Sequence, residues 1–150
     1  MRNFLFLTSF LIGTLASANT STAPLLEFIY SPGRPVGNGT KSIAKQCLVH
    51  SRQAQMITAD LLTGERSKSE KPVSLDVQAV SQLISKAAQG APKLEIGPTD
   101  VASTYYFAWI DENPNHRYVL KATGSHSGEN STAEARKLIS LIEEFCQFRR

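Results

Sequence analysis

The sequence predicts an α+β domain, an antiparallel sheet of about five or six strands with two helices packed on one face. Two stretches carry apolar residues at helical spacing, Val77 to Ala87 and Ala135 to Cys146. Short alternating or aromatic-rich runs precede each of them, and clusters of Pro, Gly, Asn and Asp separate these runs. Strands, a helix, a hairpin and a second helix, in that order, are the pattern of a sheet covered from one side.

The first strand is expected over Leu25 to Ser31 (LLEFIYS), ended by Pro32-Gly33. Pro32 to Thr40 (PGRPVGNGT) holds two prolines and three glycines and reads as a loop. Lys41 to Ser51 alternates, placing Ile43, Lys45, Cys47 and Val49 on one face and Ala44, Gln46, Leu48 and His50 on the other. Ala54 to Leu62 fits a third strand, with a helix as rival because Ala, Gln, Met and Leu all tolerate one. After a turn at Thr63-Gly64-Glu65, the polar run Arg66 to Val73 fits an edge strand or a loop; lysines and a proline are common protection at a sheet edge.

Ser74 or Asp76 can cap the first helix, with Val77, Val80, Leu83, Ile84 and Ala87 along its apolar face. Gly90 stands where a left-handed C-cap would end it, and Pro92 follows. Residues 91–102 read as a connector. Thr104 to Ile110 (TYYFAWI) is the strongest strand signal. Asp111 to His116 (DENPNH) is a turn, and Arg117 to Thr123 returns as the partner strand. Gly124 to Asn130 reads as a polar loop. Ser131 to Glu134 has the form of a capping box, and Ala135, Leu138, Ile139, Ile142, Phe145 and Cys146 then form one stripe. The halves 41–90 and 104–147 each read as strands followed by a helix, without a residue-level repeat.

The first eighteen residues are of another kind. Met1-Arg2-Asn3 carries one positive charge, Phe4 to Leu15 is an uncharged apolar run of 12 residues, and Ala16-Ser17-Ala18 is a small-x-small cleavage site. This is the layout of a secretory signal peptide over 1–18, too short to span a bilayer, which needs ~20 apolar residues. The expected product is a single α+β domain over 19–150, secreted or periplasmic, with no membrane span. Cleavage removes Arg2 and takes the net charge from +3 to +2. With no basic stripe bearing aromatics, nucleic acid is not an expected partner.

Cys47 and Cys146 are the two cysteines, and export to an oxidising compartment predicts their disulfide. The stripe places Cys146 toward the core and the alternation places Cys47 on the Ile43/Val49 face, so the bridge would fasten the last helix across the second strand.

No catalytic constellation is visible. Ser42-Ile43-Ala44-Lys45 has the spacing of a serine–lysine pair, but on a strand and without companion motifs. His50, His116 and His126 lack partners at metal-ligand spacing, and no metal or other cofactor is expected. Asp111-Glu112 and Glu143-Glu144 are expected to be solvated. Asn19-Thr20-Ser21, Asn38-Gly39-Thr40 and Asn130-Ser131-Thr132 match the glycosylation pattern. The Pro32–Thr40 loop has Arg34 and Lys41 near its glycines but lacks the residue order of a phosphate loop.

Binding is better supported. The strand 104–110 is apolar on both faces, with Tyr105, Phe107 and Trp109 on one and Tyr106, Ala108 and Ile110 on the other. A sheet covered from one side would present one of these sets to solvent, and exposed Tyr and Trp anchor recognition surfaces. The expected function is a small non-enzymatic exported module that binds an extracytoplasmic protein or a ligand. The alternative is a small hydrolase whose site is assembled from distant residues.

Overall fold

The computed structural model describes residues 23–33 and 42–147. The proposed signal peptide, most of the glycine-rich loop and two of the three glycosylation sequences lie outside these residues. Eight strands and two α-helices follow in order: β1 Leu26–Ser31, β2 Ile43–Val49, β3 Gln53–Asp60, β4 Arg66–Pro72, α1 Val77–Ala87, β5 Glu95–Ile96, β6 Ser103–Trp109, β7 Arg117–Thr123, β8 His126–Glu129 and α2 Ala133–Cys146. Each half of the chain contributes four strands and then a helix. All pairs are antiparallel, in the spatial order β4-β3-β2-β1-β6-β7-β8-β5. The two halves meet where β1 lies between β2 and β6.

The α+β class is as the sequence predicts, with more strands than the expected five or six. The additional strands are β5 and β8, at two and four residues. Both are too short and too polar to show alternation; their pairing of Ile96 with His126 supplies what their side chains do not. Residues 53–60 form a strand and not a helix, because Ala54 and Met56 are needed in the core at every second position. The polar run 66–72 is a strand at the sheet edge.

The hairpin joining β3 to β4 shows how local chemistry sets a turn. Asp60 Oδ1 accepts the amide of Leu62 at 2.9 Å, and Gly64 takes a positive φ of 74° while its amide donates to Asp60 O at 2.8 Å. A side chain at 64 would be strained in that left-handed conformation.

Both helices cover one face of the sheet. Leu26 on β1, Cys47 and Val49 on β2, Ala54 and Met56 on β3, Ala108 on β6 and Leu120 on β7 make the sheet side of the core. Val80, Ile84 and Ala87 of α1 and Ala135, Leu138, Ile139 and Ile142 of α2 make the other side. Cys146 bridges to Cys47 with a Cα separation of 5.9 Å, and the bond fastens the end of α2 to the middle of β2. Lys71 on the edge strand adds a second tie, its ammonium donating to the carbonyls of Glu144 (3.2 Å) and Gln147 (3.4 Å). A cation on the last-turn carbonyls satisfies groups that no intrahelical donor reaches.

Two helix ends differ from the sequence reading. Asp76 caps α1 as expected, accepting from Ala79 N at 3.0 Å. Its far end runs into a 3-10 turn over Ala88–Gly90, and Gly90 does not take a positive φ. Glycine is required there for closeness: a Cβ would fall 2.6 Å from Thr132 Cγ2 and 2.8 Å from Asn130 Oδ1. The N-cap of α2 is Thr132, not Ser131, with its hydroxyl accepting from Ala135 N at 3.1 Å. Asn130 decides the register. It is wholly buried, its Oδ1 accepts from Thr132 N and Oγ1, and its Nδ2 donates to Ala87 O at 2.7 Å. With both ends of its amide engaged inside the fold, Asn130 offers no acceptor nitrogen for a glycan in the folded chain.

Tyr118 packs beneath α1 and donates to the Ile84 carbonyl. Burial pushes its hydroxyl up to about 12. Tyr118 is therefore expected to be the last tyrosine to ionise in a 295 nm titration, and Tyr118→Phe should delete that step. The unfolded chain ionises near pH 10, so this contribution to stability is complete below pH 10 and is lost as pH rises toward about 12. A tyrosine titration completed below pH 11 in folded protein would refute the assignment.

Candidate functional site

β6 has one face for the core and one for the outside. Tyr106 packs against Phe28 with ring centroids 5.3 Å apart, and its hydroxyl reaches Glu143 of α2 at 3.5 Å. Burial, with the Glu143 carboxylate beside it, pushes the pKa of that hydroxyl above the usual tyrosine value. Ala108 is fully buried between sheet and helices. Tyr105, Phe107 and Trp109 therefore point to the face away from both helices, where all three are half-buried. Ile110 lies past the strand end, 61 % exposed.

This open face is organised around an acid that sequence reading leaves unremarked. Glu27 lies between the core residues Leu26 and Phe28, so strand alternation turns it to the open face, yet it is 0 % exposed. Its Oε1 accepts from Gln46 Nε2 of β2 at 2.7 Å. Its Oε2 accepts from Trp109 Nε1 of β6 at 3.0 Å and from the guanidinium of Arg117 on β7. One carboxylate thus joins four adjacent strands. A buried carboxylate persists only when its lone pairs are met in this way.

Arg117 continues the assembly. Its guanidinium lies 4.4 Å from the Phe107 ring centroid and 5.7 Å from that of Trp109. Tyr105 stacks on Phe107 at 5.9 Å with 14° between planes. Tyr105, Phe107, Arg117 and Trp109 form a connected aromatic and cationic surface whose members are each held by a neighbour or by Glu27. The three aromatic residues expected from the sequence are brought together; Glu27, Gln46 and Arg117 were missed. The available signal was a lone acid inside the apolar strand LLEFIYS, on the face opposite its core residues.

A second polar cluster lies at the other end of β6. The Tyr105 hydroxyl is 2.9 Å from both Ser125 Oγ and His126 Nδ1, and Ser103 Oγ lies 3.0 Å from Ser125 Oγ. Ser125 Oγ to His126 Nδ1 is 3.4 Å, too long for an activated nucleophile–base pair. The nitrogen on this side is Nδ1, which in a Ser-His-Asp triad faces the acid, and here it meets the Tyr105 phenol. Ser42 and Lys45 are separated by the strand: Ser42 is buried, and Lys45 is half-buried within β2. Among the described residues no group of three His, Cys, Asp or Glu side chains could hold a metal.

The remaining candidates are structural. His116 Nδ1 pairs with Asp111 Oδ2 at 2.7 Å on the surface, and this contact holds the Asp111 carboxyl below its ordinary range. Glu112, Glu143 and Glu144 are exposed, as expected for solvated carboxylates. Among the described residues no helix is long and apolar enough to cross a membrane.

Fold and site together define a disulfide-bonded α+β module with two helices on one face of its sheet and an aromatic–arginine surface on the other. No family model, no curated protein and no solved structure matches this chain.

Proposed function

We propose that the chain is exported, loses residues 1–18, and works as a non-enzymatic module that binds an extracytoplasmic protein through the open sheet face around Trp109. One observation carries this reading: Glu27 fixes Trp109 and Arg117 in place, so the residue types that dominate interface energetics are preorganised on the face opposite the two described helices. Holding these side chains before binding reduces the entropy lost on association. The Cys47–Cys146 bridge is compatible with an oxidising compartment. The hydrolase alternative has less support, because the Ser125–His126 contact lacks the geometry of an activated nucleophile.

The test combines capture with mapping. A photo-crosslinking residue in place of Phe107 should trap one specific protein from the host's own periplasm or medium. Trp109→Ala should weaken its binding by at least ~30-fold, corresponding to the ~2 kcal/mol of a hot-spot residue. Equal affinity of wild type, Trp109→Ala and Arg117→Ala for the trapped protein would reject the open face as the binding surface.

A further inference from the structure

Among the described residues the sheet ends on β5 at one side and on β4 at the other. β5 has two residues, too few to carry a ladder. β4 has seven (RSKSEKP), and all but Lys71 are exposed. Two bonds at the ends of the β3–β4 hairpin fix which backbone groups of β4 are taken. Asp60 N donates to Glu65 O at 2.9 Å, and Val73 N donates to Arg52 O at 3.0 Å. Hydrogen-bonded pairs recur at every second residue of an antiparallel ladder. In the register that sets Ser69 opposite Met56, Ser67, Ser69 and Lys71 therefore direct their backbone groups to β3. Arg66, Lys68 and Glu70 turn their N–H and C=O outward, and Pro72 turns out a carbonyl alone.

An edge with outward backbone groups pairs with another strand unless its side chains forbid it. The charges of β4 decide between the ways in which two copies of it can lie antiparallel about a twofold axis. Centred on Lys68, the register sets two ammonium groups face to face. Centred on Glu70, it does the same with two carboxylates, and centred on Ser67 it sets Arg66 against the second copy's Lys68. Like charges directly opposite one another are destabilising. Centred on Ser69, the register sets Lys68 of each copy opposite Glu70 of the other. These are the residues whose backbone groups point outward, so charge pairing and hydrogen bonding select the same alignment. Registers further from the middle of the strand shorten the ladder.

We propose that β4 pairs with β4 of a second copy of this chain, in the register centred on Ser69, to form a symmetric dimer. Lys68 N donates to the second copy's Glu70 O, Glu70 N donates to its Lys68 O, and the twofold axis repeats both bonds. Arg66 N reaches the second copy's Pro72 O, and the missing N–H of Pro72 ends the ladder there. Lys68 and Glu70 already form an ion pair within one strand at 2.7 Å, with side chains 56 % and 44 % exposed. In the dimer each gains a second opposite charge. Lysines and a proline protect this edge against strands of other sequence, which would set like charge against Lys68 or Glu70. The interface is small and polar, so the association is weak and depends on concentration.

The experiment is sedimentation equilibrium of the oxidised, exported protein from ~10 µM to ~1 mM, the range in which a small polar interface associates. Wild type should pass from monomer to dimer. Lys68→Glu and Glu70→Lys each set like charges opposite one another in both pairs, and each should weaken dimerisation at least ~10-fold. Both replace exposed side chains, so far-ultraviolet spectra should be unchanged. An equimolar mixture of the two variants should form a heterodimer, because every opposing pair is then of opposite charge. The double variant Lys68→Glu/Glu70→Lys should dimerise as wild type does. Hydrogen exchange at the Lys68 and Glu70 amides should slow as wild-type concentration rises. Trp109→Ala should leave all of this unchanged, which separates the dimer from the partner-binding face. The proposal is overturned by a wild type that stays monomeric up to ~1 mM, by dimers that survive both single charge reversals, or by a mixture of the two variants that stays monomeric.

Discussion

Reducing the Cys47–Cys146 bridge is expected to cost the protein between 2 and ~4.7 kcal/mol of stability while leaving its native fold in place. The bridge closes a span of 99 residues, nearly all of the described domain. A cross-link over ~100 residues removes up to ~4.7 kcal/mol of unfolded-chain entropy. The native side of the balance changes little, because α2 keeps other anchors. Leu138 and Ile142 are wholly buried, and Lys71 still donates to the carbonyls of Glu144 and Gln147. Reduced protein at 25 °C should keep its far-ultraviolet spectrum, while its urea midpoint falls by ~0.7–4.7 M for an m-value of ~1–3 kcal/mol/M. The double variant Cys47→Ala/Cys146→Ala should reproduce that fall without reductant. An unchanged midpoint in protein whose two thiols have been titrated would show that the bridge contributes nothing. Cys47 is 0 % exposed and Cys146 is half-buried, so attack by a reductant should enter at the Cys146 sulfur.

The elements that the sequence specifies by repeated side-chain spacing were legible in it. α2 is the clearest case: its stripe from Ala135 to Cys146 predicts both the buried face and the direction of Cys146. The cysteine pairing followed from there being two cysteines behind an export signal, and the spacing of α2 with the alternation of β2 indicated only the side each one faces. The elements specified by partners rather than by their own residues were not legible. Glu95–Ile96 and His126–Glu129 become strands because each offers the other a backbone ladder, and two residues are too few to carry a period. The start of α2 shifted by one residue for a similar reason. Ser131 has the capping box and Thr132 has only a hydroxyl able to cap, yet Thr132 is used because of Asn130, whose amide is committed to α1 some 40 residues away. Gly90 was read as a helix stop for its conformational freedom, whereas the fold uses its lack of a Cβ to let the end of α1 approach the cap of α2.

The open face was half legible. Alternation in TYYFAWI separated Tyr105, Phe107 and Trp109 from Tyr106 and Ala108, and that separation depends only on strand geometry. What holds the three aromatic residues depends on Glu27, Gln46 and Arg117, which are 19 to 90 positions apart and share no sequence pattern.

Glu27 is where the largest effect of a single substitution is expected on this face. Glu27→Ala would leave the Arg117 guanidinium, the Trp109 indole N–H and the Gln46 amide without their acceptor, in a place where the carboxylate itself is 0 % exposed. Breaking a buried pair from one side costs ~3–5 kcal/mol, because the remaining charge loses its partner and regains little water. Arg117 moderates this: its side chain is 32 % exposed and can turn outward, which places the expected loss toward ~3 kcal/mol. Glu27→Gln should fall between wild type and Glu27→Ala, since one oxygen still accepts while the new NH₂ faces donors. Removing both charges separates pairing from burial. In Glu27→Leu/Arg117→Met no ion is left unpaired, and the double variant should recover much of the loss of Glu27→Ala. Trp109 is the chain's single tryptophan, so its fluorescence reports the indole contact directly. Emission should shift in Glu27→Ala under conditions where the protein is still folded, and partner binding should weaken with it. A Glu27→Ala protein with the wild-type denaturation midpoint and unaltered Trp109 emission would remove the carboxylate as organiser of the open face. It would also withdraw the preorganisation on which the partner-binding reading rests.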